Sequence, residues 1–349
     1  MNIPCKFMLI ILAGAGLSLI AAQEAPLGSD VSPTSAEQKA IEALKGKISG
    51  QIVWASSRAH SKHDIWIMNA DGTDPKALTN SPDNVDWFSR FSPDGKKVLF
   101  TRSKSGWVNE MDAEQFDRWD IWMISTDGTD EKKVAENASW GCWRPTGDSI
   151  TFARGPKVFI KDLASGEESE IFDAEAFFDK KKVYSQQPEL SPDGNFIAIT
   201  VRGTKRETGI YNRTTKKWNT TGAGCEMSWF PDSRQLVRMN EGQGNGLTEI
   251  LKFSINNYGE PTVRLSGLTI PKEIRFMDLP GRRSHEYFPR IDQKLGTWMV
   301  WCATQYGHEH DIADYELYIW NTGTDKKKGP TRLTFNTGND RWPDIYIEN

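Results

Sequence analysis

The chain has 349 residues, of which 38% are hydrophobic and 26% charged, and this composition is typical of a globular protein with a sizeable core. The formal net charge of -4 offers no basic surface to nucleic acid, so the sequence argues against nucleic-acid binding.

Residues 1–22 have the pattern of a cleaved secretory signal. Lys6 is followed by an apolar run from Phe7 to Ala22, and Gln23 begins a polar segment. At about 16 residues the run is short for a membrane span, which needs roughly 20. We therefore predict a periplasmic or secreted protein with no membrane span after cleavage. An uncleaved N-terminal anchor is the alternative.

Residues 23–49 are predicted to hold a linker and one short helix. Ser35 and Gln38 have the spacing of a capping box, and an apolar stripe follows as far as Leu44. We expect this helix, from Ser35 to Lys45, to pack on the domain that follows it. A plug in one mouth of that domain, or a handle for a partner, are the alternatives.

From residue 50 onward the chain repeats a unit of short strands joined by tight turns. In the clearest copy, residues 86–133, three runs rich in β-branched and aromatic residues are separated by Pro93-Asp94-Gly95 and Asp127-Gly128, which favour an antiparallel meander. The first turn recurs further along the chain, at Arg144-Pro145-Thr146-Gly147-Asp148, Ser191-Pro192-Asp193-Gly194, Phe230-Pro231-Asp232-Ser233 and, in degraded form, Arg290-Ile291-Asp292-Gln293. A spacing of roughly 40 to 60 residues is that of four-stranded propeller blades.

The two ends of this region together supply one more blade. Residues 51–79 hold only the later strands of a blade, whereas residues 339–347 have the pattern of a first strand with nothing after it. Joining them closes a ring and removes the exposed sheet edges of an open one. The predicted fold is therefore all-β: a six-bladed β-propeller over residues 50–349, closed by the C-terminal strand and preceded by a short helix.

These repeats resemble those of the TolB-like six-bladed propeller family, also described as WD40-like or PD40 repeats. The matching motifs are Phe91-Ser92-Pro93-Asp94-Gly95, Asp64-Ile65-Trp66, Asp120-Ile121-Trp122, Asp71-Gly72, Asp127-Gly128 and Arg332-Leu333-Thr334. The resemblance covers residues 50–349 and implies the fold. TolB proteins also carry an N-terminal α/β domain, for which the segment between the leader and residue 51 is too short.

All five histidines fall on one face of the predicted propeller. In a four-stranded blade, the loop between the second and third strands emerges on the same side as the connection to the next blade. His60 and His63 lie in that loop of blade 1, His308 and His310 lie in the same loop of blade 6, and His285 begins the first strand of blade 6. Blades 1 and 6 are neighbours once the ring closes.

The loop of blade 6 also suggests a metal site. In extended backbone His308 and His310 point the same way, which suits two imidazoles converging on one divalent metal ion, and His285 or a carboxylate could complete the shell. With Gln305 they resemble the Gln-x-x-His-x-His metal motif of oligogalacturonate lyases. That resemblance implies a metal cofactor and a saccharide substrate. The other interpretation is a polar loop whose histidines bond to neighbouring backbone.

A ligand site is predicted where the two ends of the propeller meet. We expect Asp340, Arg341 and Trp342 to approach Arg58 and the histidines of the blade 1 loop, His60 and His63. The sequence predicts no catalytic residue, since it has no Gly-x-Ser-x-Gly motif or other nucleophile constellation.

These features favour an exported, monomeric propeller that binds or scaffolds a protein or glycan through its histidine-bearing face. The alternative is a metal-dependent saccharide-active enzyme, most concretely an oligouronide lyase. The binding function requires no cofactor. The enzymatic function requires one divalent metal ion.

Cysteine and tryptophan positions give two further expectations. Three cysteines remain after cleavage of the leader, Cys142, Cys225 and Cys302. We expect them to be small buried hydrophobic residues, with one disulfide as the alternative. Most tryptophans lie within predicted strands and belong to the core. The tryptophans at strand ends or in loops, which we considered for ligand contact, are Trp107, Trp119, Trp140 and Trp342.

Overall fold

The computed structural model of the protein describes residues 31–59, 62–104, 112–222, 224–241, 248–265, 270–281, 283–305 and 313–348. The predicted signal peptide, residues 1–22, lies outside the described residues. So do three of the predicted site residues, His60, His308 and His310.

The described residues form two α-helices, two short 3-10 segments and strands that make six four-stranded sheets. In chain order the strands are β1 (Gly50–Ser56), β2 (Asp64–Asn69), β3 (Lys76–Ala77), β4 (Asp86–Phe91), β5 (Lys97–Ser103), β6 (Trp119–Ser125), β7 (Lys132–Ala135), β8 (Ser139–Trp143), β9 (Ser149–Arg154), β10 (Lys157–Asp162), β11 (Glu168–Asp173), β12 (Val183–Leu190), β13 (Phe196–Gly203), β14 (Glu207–Asn212), β15 (Lys217–Gly222), β16 (Cys225–Trp229), β17 (Gln235–Glu241), β18 (Thr248–Ser254), β19 (Arg275–Met277), β20 (His285–Ile291), β21 (Trp298–Thr304), β22 (Glu316–Asn321), β23 (Thr331–Arg332) and β24 (Asp340–Ile347). The helices are α1 (Ser35–Leu44) and α2 (Ala174–Phe178), and the 3-10 segments are Asp112–Arg118 and Lys272–Ile274.

The sheets are the six blades of a β-propeller, which confirms the predicted fold. Five blades are consecutive meanders, from β4–β7 to β20–β23, and the remaining sheet has the order β24-β1-β2-β3. The C-terminal strand β24 pairs with β1 in antiparallel register from Gly50 opposite Ile347 to Ser56 opposite Asp340. We call this blade 1, and the boundary between it and the preceding blade 6 (β20–β23) the seam.

The tight turns after the first strands are built by their own side chains. The Ser92 hydroxyl donates to Asp94 Oδ1 at 2.6 Å and accepts from the backbone N–H of Lys97 at 2.9 Å. Gly95 then adopts a φ of 70°, which favours glycine. Ser191 and Asp193 repeat the hydroxyl to carboxylate bond at 2.6 Å in blade 4. The recurrent Ser-Pro-Asp-Gly sequence is thus a hydrogen-bonded reversal.

Two acidic residues at the start of third strands, Asp64 and Asp120, anchor the connections between blades. Asp64 Oδ1 accepts from the backbone N–H of Ser81 at 2.8 Å. Asp120 Oδ1 accepts from the backbone N–H of Asn137 at 2.9 Å. Each carboxylate therefore ties the loop that leads to the next blade onto its own sheet.

The innermost strand of every blade contains a β-bulge, a feature that the sequence reasoning missed. At each bulge two inner-strand residues face one residue of the second strand, and the first of the two has a φ between 53° and 63°. The six residues with this φ are Phe88, Trp140, Gln187, Glu226, Phe288 and Trp342. Left-handed backbone is unfavourable for such residues, so its recurrence at equivalent positions shows that the ring geometry imposes it.

The aromatic side chains at four of these bulges meet near the axis of the ring. The Trp342 ring lies 3.6 Å from that of Phe288, 5.2 Å from Phe88 and 5.4 Å from Trp140, measured between centroids. Trp87 packs edge-on against Trp140 at 4.4 Å. We call Phe88, Trp140, Phe288 and Trp342 the axial plug. It joins blades 1, 2, 3 and 6 in one core cluster.

The N-terminal helix α1 packs on the outside of the ring, as expected. Its cap differs by one residue from the prediction: Thr34, not Ser35, is the N-cap, and Glu37 rather than Gln38 completes the capping box. Glu37 also contacts Arg332 of β23 at 3.3 Å. The cap lies one residue earlier than predicted because the carboxylate of Glu37 takes part in both the capping box and this ion pair.

The buried cysteines and tryptophans are core residues. Cys142, Cys225 and Cys302 are buried free thiols, as predicted. Trp119 and Trp140 are buried although we had considered them for ligand contact, and Trp107 lies outside the described residues.

Neither of the described helices is long and apolar enough to cross a membrane.

We expect Trp342→Ala to lower the free energy of unfolding by about 3–5 kcal/mol, because it opens a cavity in the axial plug. The measurement is urea denaturation followed by far-UV circular dichroism. Tyr258→Ala is the control, since that side chain is 63% exposed and its loss should cost less than about 0.5 kcal/mol. Equal effects of the two changes would contradict the assigned core role.

Candidate functional site

The candidate site lies at the seam, on the face formed by the loops between second and third strands. We call this the histidine face. His63 stands immediately before β2, His285 begins β20 and Gln305 follows β21, so the strand order places all three on this face. Asp340, the first residue of β24, enters blade 1 from the same side.

Asp340 is the centre of a buried hydrogen-bond network. Its carboxylate, 0% exposed, accepts from Trp54 Nε1 at 3.0 Å and from Arg58 Nη2 at 2.9 Å. Asn336 Nδ2 donates to the same carboxylate at 2.6 Å. The Asp340 backbone N–H donates to the carbonyl of Tyr315 in blade 6 at 3.0 Å. One residue of the last strand thus joins both blades that flank the seam, with a charge-assisted bond to Arg58.

Asn339 makes the second connection across the seam. Its Nδ2 donates to the carbonyl of Ala313 in blade 6 at 2.8 Å, and its Oδ1 lies 2.9 Å from Nε2 of His63 in blade 1. Since the amide nitrogen faces Ala313, its oxygen is the acceptor, and His63 therefore carries a proton on Nε2. The backbone of Asn339 also exchanges bonds with Ser57, which donates at 3.1 Å through its N–H and accepts at 2.9 Å through its hydroxyl.

Arg58 is held by aromatic rings as well as by Asp340. Its guanidinium lies 4.8 Å from the ring centroid of Trp66 and 5.4 Å from that of Trp54. Blade 2 has the same arrangement, in which Arg102 binds both oxygens of Asp86 at 2.7 Å. The Arg58–Asp340 pair is therefore a repeated element of blade structure, located at the seam in blade 1.

A third segment is attached to this region by Arg283. Its Nη1 donates to the carbonyl of Asp314 at 2.6 Å and its Nη2 to the Asp314 carboxylate at 2.5 Å. The connection between blades 5 and 6 is thereby fixed to the loop that precedes β22.

Burial raises the pKa of Glu316 to about 8, and the nearby Asp340 carboxylate adds to this shift. Glu316 Oε1 accepts from Arg332 Nη2 at 2.6 Å and from the backbone N–H of Asn336 at 3.0 Å. The seam thus contains a second buried acid, held by a cation and by the segment that carries Asn336.

The structure brings some predicted site residues together but buries most of them. Arg58 and Asp340 form an ion pair, and His63 reaches the neighbouring Asn339. His63, Asp340, Arg341 and Trp342 are buried, and Trp342 is 2% exposed in the axial plug. These side chains support the loops from inside the protein. Direct contact of any of them with a ligand stays a prediction.

The structure describes two of the four predicted metal ligands, His285 and Gln305. His285 pairs with Thr304 across β20 and β21, and Gln305 follows Thr304, so the two candidates stand at the same edge of blade 6. Both are half-buried. Among the described residues, no group of three or more His, Cys, Asp or Glu side chains could hold a metal ion. Metal binding through His285, Gln305 and the undescribed His308 and His310 stays a prediction.

Sequence reasoning missed the asparagines that hold the seam. Asn336 Oδ1 accepts from the backbone N–H of Gly338 at 2.7 Å, and a Cβ on Gly338 would lie 2.6 Å from that oxygen and 3.1 Å from the backbone nitrogen of Arg58. A glycine is therefore required by close approach. The run Asn336-Thr337-Gly338-Asn339 is a recognisable turn signal, because asparagine amides readily bond to nearby backbone.

We expect Asp340→Ala to lower the free energy of unfolding by about 3–5 kcal/mol, because it leaves the Arg58 guanidinium without its buried counter-ion. Urea denaturation of the purified variant is the measurement. Asp127→Ala is the matched control and should change stability far less, because this exposed carboxylate bonds to Thr129 within its own turn. An Asp340→Ala variant as stable as the control would show that the network does not hold the seam.

Comparison with known proteins supports the fold and leaves the activity open. No protein-family model matches the chain, and no curated protein matches it significantly by sequence. The solved structure of TolB from Acinetobacter baumannii matches with a TM-score of 0.57 and 16% identity, over 86% of this chain and 67% of that one. A structure described as TolB from Agrobacterium tumefaciens matches with a TM-score of 0.52 and 13% identity, over 87% of this chain and 100% of that one.

A chain of the nidogen–laminin complex also matches, with a TM-score of 0.52 and 11% identity, over 84% of this chain and 97% of that one. Oligogalacturonate lyases are among the more distant matches, with TM-scores of 0.42 and 0.46, and these values say nothing about activity. The chain therefore has the six-bladed β-propeller fold of the TolB structures.

Proposed function

We propose that this protein is an exported β-propeller that binds a protein or glycan through the histidine face, at the seam between blades 6 and 1. The observation that carries the proposal is the network around Asn339 and Asp340, which fixes the bases of two facing loops to each other.

The network fixes the described ends of these two loops before any partner arrives. Arg58 and His63 stand on either side of the undescribed part of the blade 1 loop, and both bond to the segment 339–340. Ala313, directly after the undescribed part of the blade 6 loop, bonds to the same segment. A recognition surface whose bases are held in this way loses less conformational entropy on binding.

The residue types in and beside these two loops suit a polar partner. By sequence the two loops carry His60, His308 and His310, and the half-buried His285 and Gln305 lie at the adjacent edge of blade 6. Imidazole and amide groups donate and accept hydrogen bonds without requiring a charged partner. Hydroxyl-rich glycans and polar protein surfaces both offer such groups.

Propellers of this fold occur in binding assemblies. The nidogen–laminin complex, whose matched chain shares the fold, is a complex between proteins. Because fold alone does not determine function, this likeness only makes a binding role reasonable.

The competing function is a metal-dependent enzyme acting on saccharides. It would require a metal ion held by Gln305, His308 and His310, with His285 as a further ligand. The same binding experiment separates the two functions when it is repeated with a chelator.

The test uses the chain from Gln23 onward, immobilised and exposed to cell-envelope extract and to a glycan array. A triple variant, His285→Ala with His308→Ala and His310→Ala, should bind the partner at least about tenfold more weakly, because several polar contacts would be removed at once. The control variant is Asp127→Ala with Lys132→Ala, on exposed positions of the opposite face, and it should bind as the unchanged chain does.

Binding that survives the triple variant would overturn the assignment to the histidine face. Absence of any partner in both assays would overturn the binding function. Loss of binding with chelator, together with turnover of a polyuronate when a divalent metal is added, would favour the enzyme instead.

A further inference from the structure

A cavity of about 300 Å³ lies on the face opposite the histidine face, at the axis of the ring. It is walled by inner strands and by the tight turns that follow them, including Pro93, Pro145, Pro192 and Pro231. These prolines make much of the wall apolar and rigid. The cavity shares no residue with the candidate site at the seam.

The inner-strand bulges determine which side chains line this cavity. In five blades the residue two positions after the bulge residue lines the cavity, and in four of these blades it is charged. These four residues are Arg90, Glu189, Arg290 and Asp344.

The two carboxylates of this ring are fully engaged. Both carboxylates bind Arg290. Asp344 Oδ1 lies 3.1 Å from Nε of Arg290, and Glu189 Oε2 makes a short contact with its Nη1. Their other oxygens accept backbone N–H groups, Asp344 from Phe91 at 2.8 Å and Glu189 from Trp229 at 3.4 Å. Arg290 thus binds both carboxylates, and neither of them bonds to Arg90.

Arg90 is a buried cation that forms no ion pair among the described residues, although the carboxylates of Glu189 and Asp344 are near enough to favour its charged form. Its side chain is 6% exposed, its Nη1 donates only to the backbone carbonyl of Ser89 at 2.7 Å, and its Nε has no hydrogen-bond partner. The guanidinium lies 3.8 Å over the ring of Phe88. Burial lowers the pKa of Arg90 to about 10, and the positive charge of Arg290 adds to this shift, whereas the negative charges of Asp344 and Glu189 oppose it. An isolated buried charge is costly, so such a group usually has a partner.

The rim of the cavity adds further positive charge. Arg144 contacts Ser149 Oγ at 3.3 Å through Nη1, whereas its buried Nε has no partner among the described residues. Lys294 also lines the opening. The lining therefore has four cations, Arg90, Arg144, Arg290 and Lys294, against the two carboxylates already bound to Arg290.

We propose that this axial cavity binds the oxyanion group, a carboxylate or a phosphate, of a small organic molecule, with Arg90 as the principal contact and Arg144 as the second. A guanidinium presents paired N–H donors that fit either oxyanion. The proline-rich wall would receive the apolar part of the molecule. A volume near 300 Å³ is at the lower end for ligand pockets, which selects a small molecule over a polymer chain.

The experiment titrates the chain from Gln23 onward with sodium acetate, succinate, glucuronate and inorganic phosphate, against sodium chloride at equal ionic strength. Melting temperature and isothermal calorimetry are the readouts. We expect saturable stabilisation by a carboxylate or by phosphate but not by chloride, since chloride cannot accept a bidentate pair. Which of the two series saturates at the lower concentration identifies the oxyanion.

Arg90→Met is the decisive variant, because methionine fills similar space without a charge. It should weaken the apparent affinity for the stabilising oxyanion at least about tenfold, and raise the melting temperature measured without oxyanion. Arg206→Met removes an exposed cation, 51% accessible, from the histidine face, and should respond to oxyanions as the unchanged chain does.

Stabilisation by no oxyanion, or an unchanged response in Arg90→Met, would overturn the proposal. Should Arg90→Met fail to fold, Arg144→Met at the rim replaces it. That variant should also bind more weakly, and an unchanged affinity there would equally overturn the proposal. None of these outcomes depends on whether the histidine face binds a partner.

Discussion

Closure of the ring by β24 is the constraint on which the rest of the structure depends. A propeller blade has two apolar faces and needs a neighbour on each side, so an open ring would expose two of them. Here the last strand of the chain is the innermost strand of the first blade. Asn339 and Asp340 then bind this strand to blade 6 through Ala313 and Tyr315. Asp340 also binds Arg58 within blade 1. The polar network at the seam is therefore first of all a structural lock, and any recognition by its loops is built on that lock.

The inner-strand bulge gives the ring two chemically different ends. It turns one residue of each first strand into the left-handed region, and at four blades an aromatic side chain then fills the axis. Two residues further along, the chain presents charged groups to the cavity beyond the plug. The plug separates this cavity from the histidine face, so the two proposed sites belong to opposite ends of one axis and can be altered independently.

Much of the fold could be predicted from the sequence because its signals are local. Ser-Pro-Asp-Gly and Asp-Gly turns mark reversals, and their spacing gives the length of a blade. The bulge was not predicted because it arises from the packing of six strands around one axis. A sequence signal for it does exist: Pro188, Pro289 and Pro343 each directly follow a bulge residue. Proline is tolerated in these inner strands because a bulge interrupts the ladder of backbone hydrogen bonds. The burial of Trp342 was missed although ring closure was predicted, because its position at the axis depends on the bulge. Arg58 and Asp340 are separated by most of the chain. The blade repeat predicted that they lie on one face, but it did not predict that they form an ion pair.

The central claim is that the C-terminal strand holds the ring together, and a truncated chain tests it most directly. A protein from Gln23 to Gly338 lacks β24, and its urea unfolding can be compared with that of the chain ending at Asn349. We expect truncation to abolish the cooperative transition, because blade 1 loses its innermost strand, blade 6 loses its contacts with that strand, and the axial plug loses Trp342. A synthetic peptide of residues 339–349 should restore the transition. A truncated chain that unfolds with the midpoint and cooperativity of the full one would contradict the account.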